Sequence, residues 1–255
     1  MASDRKQRFG YRTDTGKKRA HNEDALLLLP EHGLFAVADG VGGQKSGEIA
    51  SRKAMIGIET WFKNHLPAEG ENLSGKDRIQ QVRSYFTDCL RLVNNDILLL
   101  ASTDPACANM ATTAVIAYFD KDVLFLVNIG DSRAYLLRGG SIKQLTEDHT
   151  YVNEMVRAGT LTQDEARTHP KKNIITKALG TIAETEPDFF PVPVMKSDRV
   201  LLCTDGLHGE LPDTEIVRIL MTESDPGACA ETLVAAANEK GGRDNITVIV
   251  IDQKD

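Results

Sequence analysis

Short apolar runs that close on an aspartate recur along this chain. They occupy residues 34–39, 123–131 and 201–205, and the first and third continue into glycine. A short apolar run bounded by turn residues is typical of a buried β-strand. Glycine beside a carboxylate lets a ligand or ion approach the main chain, because no Cβ is in the way. A single Asp-Gly pair is more often a turn, but three strands that end on aspartate predict a shared carboxylate cluster.

Two long segments carry apolar residues at helical spacing. The second keeps one apolar face over residues 79–100, and the first is marked by Ala50, Ala54, Ile58, Trp61 and Phe62. Such stripes predict helices that pack on a core, and they do not indicate a cofactor site. Further helices are predicted over residues 151–157, 162–168, 213–221 and 227–239.

The remaining apolar segments predict strands, several of them joined by tight hairpins at residues 120–122 and 139–141. The predicted strands cover residues 10–14, 25–29, 34–38, 112–119, 123–129, 134–138, 142–145, 189–194, 200–204 and 246–251. Their order lacks regular β-α-β alternation, which favours antiparallel sheets with helices on the outer faces. We predict an α+β fold, a four-layer α/β/β/α sandwich in which pairs of antiparallel helices flank two central antiparallel β-sheets.

The chain shows no internal repeat and no low-complexity linker. With 255 residues, of which 41% are hydrophobic, it can bury a full core. We therefore predict a single domain over residues 1–255. Residues 1–9 are expected to form a polar N-terminal arm, and residues from about 150 to 181 form a polar, irregular insertion.

Composition argues against several classes of protein. The net charge is −7 and no Lys/Arg tract stands out, so we expect no nucleic-acid partner. The cysteines lie far apart without a C-x-x-C, which indicates neither a zinc site nor a disulfide framework. The first ten residues lack an apolar core, so no signal peptide is expected, and no apolar run reaches the roughly 20 residues of a membrane span. We expect reduced thiols in a cytoplasmic protein.

Acidic residues at predicted strand ends or beside glycine suggest the chemistry. They are Glu23, Asp24, Asp39, Asp131, Asp205 and Asp244. Oxygen ligands of this kind suit Mg²⁺ or Mn²⁺. Carboxylates gathered in a partly buried site would take up protons unless cations neutralised them. Two divalent ions roughly 3.5–4 Å apart can lower the pKa of a bridging water and hold both reacting oxygens of an in-line displacement at phosphorus.

Arg19, just before the first acidic pair, offers a planar fork for a phosphate. Each residue also has a simpler interpretation when taken alone. Arg19 reads as a surface charge, Glu23-Asp24 as a solvated turn or helix cap, and Asp131 as a turn residue. The joint pattern favours the phosphate chemistry.

Eight motifs in order extend over nearly the whole chain, from about residue 10 to residue 252. They are GKKRAHNEDA (16–25), FAVADGVGG (35–43), MATTAVIAYF (110–119), VNIGDSRAYLLRGG (127–140), LTEDHTYVNEMVRAGTLTQDEA (145–166), HPKKNIITKALG (169–180), DRVLLCTDGL (198–207) and GGRDNITVIVI (241–251). With these motifs the chain resembles the metal-dependent protein serine/threonine phosphatase family, type 2C, in its compact bacterial form.

That resemblance implies the predicted sandwich, with a binuclear Mn²⁺ or Mg²⁺ centre in a cleft at one edge. By matching positions, Asp39 would bridge both metals, and the carbonyl of Gly40 would bind one of them. Asp205 and Asp244 would bind the other metal.

The resemblance also assigns residues around this centre. Glu23 and Asp24 would contact it directly or through water. Asp131 would help to hold a third, weaker metal, shared with Asp205. Arg19 would clamp the substrate phosphate. The segment from about residue 150 to 181 resembles the mobile flap beside the cleft, which influences substrate choice.

The chain departs from the family pattern at two positions. Eukaryotic members usually carry a histidine after the Asp-Gly, proposed as general acid to the leaving group, and this chain has Val41 there. His208 stands where a small, aromatic or acidic residue is more usual, and we interpret it as a surface or loop histidine. His149 and His21 are interpreted as structural.

The resemblance implies hydrolysis of phosphoserine and phosphothreonine on proteins by a hydroxide that bridges the two ions. Arg19, Asp39, Asp205 and Asp244 would be the catalytic residues. Bacterial relatives oppose Hanks-type kinases, so such a kinase or its substrates are expected partners of this enzyme, which we expect to be monomeric. Two alternatives stay open. One is a non-catalytic module that binds a phosphoprotein, and the other is a phosphatase dedicated to one regulator, such as an anti-sigma-factor antagonist.

Overall fold

Continuous apolar runs form the central strands of this fold, and these strands are buried on both faces. The computed structural model describes residues 7–43, 46–65 and 75–253. Its strands are β1 Arg8–Asp14, β2 Asp24–Leu29, β3 Leu34–Val41, β4 Ala111–Thr112, β5 Ala114–Asp120, β6 Val123–Ile129, β7 Arg133–Arg138, β8 Ser141–Gln144, β9 Asp188–Pro193, β10 Arg199–Cys203 and β11 Ile246–Asp252.

The described residues form seven α-helices, six of which the sequence predicts. They are α1 Ser46–Asn64, α2 Lys76–Thr103, α3 Tyr151–Arg157, α4 Gln163–Thr168, α5 Asp205–His208, α6 Asp213–Thr222 and α7 Pro226–Lys240. No helix among the described residues is both long enough and apolar enough to cross a bilayer.

The strands form two antiparallel sheets. The first sheet has the order β1-β11-β10-β7-β8, and the second has the order β2-β3-β5-β6-β9, with β4 paired to β3. Every pairing is antiparallel. The hairpins at residues 120–122 and 139–140 join neighbouring strands, as the sequence predicts.

The helices cover the outer faces of both sheets. α1 and α2 pack on the second sheet, and α6 and α7 pack on the first. Between the sheets lies a third apolar layer that includes Phe35, Leu202 and Ile249. This arrangement confirms the predicted α/β/β/α sandwich. Burial of these faces away from water is the main force that holds the four layers together.

Contacts between α1 and α2 show that the two helices run in opposite directions. Lys53 on α1 lies 3.7 Å from the Asp96 carboxylate on α2. One turn later on α1, Gly57 packs against Val93, and a Cβ at Gly57 would lie 2.8 Å from a Val93 methyl. Small residues at such crossings allow the close approach of two helices.

The first strand begins earlier than the sequence predicts. Arg8 and Phe9 already pair with Asp252 and Ile251 of β11, so the predicted polar arm over residues 1–9 is wrong for these two residues. The cause is the Phe9 ring, which lies 5.3 Å from the ring of Phe35 in the central layer. Residues 1–6 of the predicted arm lie outside the described residues.

A short helix was missed after β10. The Asp-Gly pair at residues 205–206 reads as a turn, but it opens helix α5. A Cβ at Gly206 would lie 1.9 Å from the main-chain oxygen of Asn245. The absence of that Cβ lets α5 lie directly on the segment that leads into β11.

Arg199 ties the first sheet to its helices at the end far from Asp205. Its guanidinium donates to both Asp252 oxygens at 2.6 and 3.0 Å. It also donates to three main-chain carbonyls, that of Leu220 in the last turn of α6 and those of Glu223 and Ser224 just after the helix. Arg199 is buried, so these acceptors have little access to water.

We predict that Arg199→Met lowers the free energy of unfolding by about 3–5 kcal/mol, because it leaves a carboxylate and three carbonyls without their donor. Urea denaturation provides the measurement. Arg8→Ala is the control, since the Arg8–Asp225 pair is exposed and should cost less than about 1 kcal/mol. Equal small losses in both variants would contradict the prediction.

Candidate metal centre

Strand register brings the first two aspartates together. Asp24 on β2 lies directly opposite Asp39 on β3. Side chains two residues apart on a strand share a face, and Leu26 and Val37 belong to the layer between the sheets. Asp24 and Asp39 therefore close one end of that layer.

Two aspartates of the first sheet reach the same end. Asp205 begins α5 just after β10, and Asp244 lies two residues before β11, the neighbour of β10. Their connections are fixed by hydrogen bonds between the strands, such as Thr204 N–H to the Thr247 carbonyl at 3.1 Å. The two sheets thus each contribute two aspartates to one end of the sandwich.

A cleft of about 440 Å³ opens at this end. The structure brings most of the sequence-predicted site residues to its walls: Arg19, Glu23, Asp39, Gly40, Asp131, Asp205 and Asp244. Asp24 does not line the cleft. It lies behind the cleft, where one of its oxygens accepts a hydrogen bond from the Thr204 hydroxyl at 2.8 Å.

Burial makes this cluster electrostatically unfavourable. Burial raises the pKa of Asp24 to about 7 and that of Asp131 to about 8, and the nearby Asp205 charge adds to both shifts. Burial and the Asp244 charge raise the pKa of Asp205 to about 6. The pKa of Asp39 is raised well above its ordinary value by burial and by Asp205. The cluster thus binds protons, or other cations, more readily than isolated carboxylates do.

Several oxygens of the cluster have no partner among the described residues. They are Glu23 Oε1, Asp24 Oδ1, Asp131 Oδ1 and Asp205 Oδ1, and all are buried. Buried carboxylate oxygens without donors are rare in proteins. No group of three or more His, Cys, Asp or Glu side chains in the described ranges is arranged to hold a metal ion. Mg²⁺ sites often use one or two carboxylates and several waters, so the orphaned oxygens fit such a ligand set.

Gly40 is required by close packing at the cleft wall. A Cβ at this position would lie 2.0 Å from the Gly47 oxygen and 2.6 Å from the Glu23 oxygen. The Gly40 N–H donates to that Glu23 carbonyl at 3.1 Å. Any side chain here would push the start of α1 and the Glu23 segment away from the aspartates.

Arg19 and Asp244 lie together in the cleft. A terminal guanidinium nitrogen of Arg19 is 2.6 Å from the Asp244 Oδ2. Arg19 is 48% exposed and Asp244 is 31% exposed, so water screens this pair and weakens it. Val41 lies on the rim and is 46% exposed.

Buried hydroxyls connect the strands that carry the aspartates, and sequence reasoning missed them. Thr113 accepts from the Asp39 N–H at 2.9 Å and lies 2.7 Å from the Ser132 hydroxyl, next to Asp131. Thr204 accepts from the Thr247 N–H at 3.0 Å while it donates to Asp24. The sequence did offer one sign of their role, because each of these hydroxyl residues lies beside or opposite an acidic residue at a strand end.

The histidines differ from their sequence interpretation in one case. His208 lies in α5, is partly buried and has its Nε2 3.0 Å from the Asp131 carbonyl. The interpretation as a surface or loop histidine is therefore wrong, because α5 was not foreseen. His149 exchanges two hydrogen bonds with Gly130, one through its ring and one through its main-chain N–H, as a structural residue does. The His21 carbonyl accepts from the Asn245 side chain at 2.8 Å.

The insertion borders the cleft. Thr150 and Ile175 form an isolated β-bridge at its base, and Asn173, Ile175, Ala178 and Thr181 line the cleft wall. A second cavity of about 510 Å³ lies between the insertion and α5, and shares Asp131, Asn173 and Asp205 with the first. The aspartates are therefore reached from two sides.

We predict that the metal-free protein loses stability between about pH 7 and pH 9. Asp24 and Asp131 have raised pKa values, so they hold protons in the folded protein that the unfolded chain has already lost. The free energy of unfolding then falls as pH rises. Histidines with lowered pKa values, such as His208, act in the opposite direction but only below about pH 7.

Urea denaturation at pH 7 and pH 9 with a chelator measures this loss, which should exceed about 1 kcal/mol, since one pKa unit corresponds to about 1.4 kcal/mol. Added Mn²⁺ should remove it, because a cation replaces the protons. A stability that rises with pH in the presence of chelator would contradict the prediction.

Comparison with known proteins agrees with this geometry. The sequence model of the Protein phosphatase 2C family matches residues 14–241. The serine/threonine phosphatase stp of Listeria welshimeri is 35% identical over 247 residues, which cover 95% of this chain and 94% of that protein. The protein phosphatase PhpP of Streptococcus pneumoniae is 37% identical over 248 residues, with 95% and 96% covered.

A solved structure extends the likeness to three dimensions. The crystal structure of the catalytic domain of serine/threonine protein phosphatase PstP, in complex with two manganese ions, has a TM-score of 0.83. It is 33% identical, and the match covers 98% of this chain and 99% of that one. This chain belongs to the protein phosphatase 2C family of serine/threonine phosphatases.

Proposed function

We propose that this protein hydrolyses phosphoserine and phosphothreonine on other proteins with the help of two Mn²⁺ or Mg²⁺ ions. One observation carries the proposal. The two sheets bring four aspartates to one end of the sandwich, where buried oxygens have no partner among the described residues and the half-exposed Arg19 lies beside them. The names of the relatives and the manganese ions in the PstP structure support the same reaction.

The cleft residues divide into a proposed ligand set and its surroundings. Asp39 would bridge the two ions, with the Gly40 carbonyl on one of them and Asp205 and Asp244 on the other. When bound, such ions supply an acidified water as nucleophile and neutralise charge that develops on the phosphate.

The acids around this set have separate proposed roles. Glu23 lines the cleft and has one orphaned oxygen, which suits a contact through water. Asp24 lies behind Asp39 and would act through its charge. Asp131 would share a third, weaker ion with Asp205. The insertion over about 150–181 would be a flap of a single catalytic domain.

Arg19 is proposed to bind the substrate phosphate. Asp244 can bind either the Arg19 guanidinium or a divalent cation, because both are positively charged partners for its Oδ2 atom. With Asp244 among the residues that would hold an ion, the half-exposed Arg19 guanidinium would lack its carboxylate partner, and its N–H donors would be available in the cleft. A planar fork of N–H groups matches two phosphate oxygens, so the substrate would take the place of the Asp244 carboxylate.

The leaving serine or threonine oxygen needs a proton. Val41 offers none, and its exposed position on the rim leaves this side of the cleft open to solvent. We propose that water supplies the proton. The physiological substrates are proposed to be phosphoproteins of a Hanks-type kinase, or the kinase itself, met by a monomeric cytoplasmic enzyme.

A non-catalytic phosphoprotein-binding module is the alternative of another class. It needs no intact carboxylate cluster, and this chain retains every acidic residue of the pattern. Hydrolysis of p-nitrophenyl phosphate with Mn²⁺, with and without EDTA, separates the two. Turnover that EDTA abolishes supports the enzyme, and absence of turnover with Mn²⁺ supports the binder.

We predict that Asp39→Asn lowers kcat for p-nitrophenyl phosphate at least about 100-fold, because an amide is a poorer metal ligand and cannot bridge two cations. The fold should persist, since the change removes a charge from a crowded acidic cluster. Asp120→Asn is the control, an aspartate at a strand end distant from the cleft. Near-normal turnover of Asp39→Asn would contradict the ligand assignment.

We predict that Arg19→Ala raises KM for a phosphopeptide about 10- to 100-fold, since a charged hydrogen bond is worth roughly 1.5–3 kcal/mol. Steady-state kinetics at saturating Mn²⁺ measure the change. Lys18→Ala is the matched control for a neighbouring exposed charge, and it should shift KM less than about twofold. An unchanged KM in Arg19→Ala would remove Arg19 from phosphate binding.

A further inference from the structure

Two histidines hold the Gly130–Asp131 segment from opposite sides. The Gly130 N–H donates to Nδ1 of His149 at 2.9 Å, and the His149 N–H donates to the Gly130 carbonyl at 3.0 Å. On the other side, Nε2 of His208 lies 3.0 Å from the Asp131 carbonyl. The main chain on both sides of the Asp131 Cα is therefore bound to an imidazole side chain.

The partners fix the proton positions on both rings. A carbonyl oxygen only accepts a hydrogen bond, so Nε2 of His208 carries a proton and donates a hydrogen bond to the main-chain carbonyl of Asp131. A main-chain N–H only donates, so Nδ1 of His149 is without a proton and its Nε2 carries one. That Nε2 lies 3.2 Å from the Asp188 carboxylate on β9. Both rings thus act as neutral hydrogen-bonding groups in defined tautomers.

Each histidine is anchored to a different element. His208 is the last residue of α5, and Asp205 is the first, so one helical turn joins Asp205 to the group that holds Asp131. His149 lies at the base of the insertion, where its carbonyl accepts from the Thr176 N–H at 2.8 Å. His208 therefore holds Asp131 in place relative to Asp205, and His149 holds it in place relative to the insertion.

Such anchoring matters because the two carboxylates repel each other when both are ionised. Asp131 is 6% exposed, and its Oδ1 has no partner among the described residues. Asp131 and Asp205 line both cavities together. Without a fixed main chain, the Asp131 segment would relax away from Asp205, and the spacing of their oxygens would be lost.

We propose that His149 and His208 are positioning residues that hold the Asp131 carboxylate against Asp205, and that the His208 hydrogen bond sets the affinity of this pair for a divalent cation. This inference rests on the proposed function, in which the pair holds the weakest of the bound ions. Groups that orient metal ligands typically change metal affinity 10–100-fold when removed.

Calorimetric titration of the metal-free protein with Mn²⁺ tests the proposal. His208→Leu keeps an apolar side chain but removes the donor, and it should raise the Kd of the weakest Mn²⁺ site about tenfold while the tighter sites change less than about twofold. His208→Gln places an N–H donor close to the position of Nε2, and it should restore the Kd to within about threefold of the wild type.

His65→Leu is the matched control, because the His65 ring also contacts a main-chain carbonyl, that of Trp61 at 3.1 Å, but far from the cleft. It should leave every Mn²⁺ site unchanged. Turnover of p-nitrophenyl phosphate by His208→Leu should recover when Mn²⁺ is raised above the new Kd. A general loss of all sites in His208→Leu, or no change in any site, would overturn the proposal.

Nitrogen NMR of the wild-type metal-free protein tests the geometry without a substitution. The proposal requires the proton on Nε2 in both His149 and His208, and a proton on Nδ1 of His208 would overturn it. A wild type that binds no Mn²⁺ would overturn the proposed function and this inference together. Wild-type sites that His208→Leu leaves unaltered would overturn the inference alone.

Discussion

Repulsion among desolvated carboxylates at one end of a β-sandwich is the constraint on which this structure depends. Each sheet alone could expose its acids to water, but the sandwich brings them to the end of a shared apolar layer. There burial disfavours their charged forms, and only protons or bound cations relieve the cost. The cluster is thus a cation site by its electrostatics before any particular ligand geometry is considered.

Both ends of the first sheet carry a two-pronged arginine pair, which at the cleft end is Arg133 with Asp148, but only the cleft end also has buried carboxylate oxygens without a donor among the described residues. At the end away from the cleft, Asp198 and Asp252 each receive a two-pronged arginine, from Arg138 and Arg199. At the cleft end, Arg19 reaches one oxygen of Asp244, and other buried oxygens have no donor among the described residues. Removing one partner of a buried ion pair is costly, so unpaired acids at one end alone indicate a site whose cations come from outside the chain.

Much of the fold and of the carboxylate cluster could be predicted from the sequence, because both depend on patterns of neighbouring residues. Apolar runs that close on Asp39, Asp131 and Asp205 indicated where the acids would gather, although β3 continues past Asp39 to Val41, and the motif order supplied the family. The hydroxyl links could not be foreseen, since Thr204 and Asp24 are 180 residues apart. Helix α5, and with it the role of His208, was hidden because an Asp-Gly pair normally signals a turn and only packing on Asn245 makes it helical.

The exposure of Arg19 bears on the proposal that Asp244 can bind either this arginine or a divalent cation. A half-exposed ion pair contributes at most about 1 kcal/mol, far less than a divalent ion gains from several carboxylates that are already desolvated. Under the proposed ligand set, Asp244 would hold an ion in place of the arginine, and the Arg19 guanidinium would be available in the cleft to a substrate phosphate. A buried arginine, such as Arg199, could not do this, because its loss would leave several acceptors unpaired. A weak Arg19–Asp244 pair is thus what the proposed exchange of partners requires.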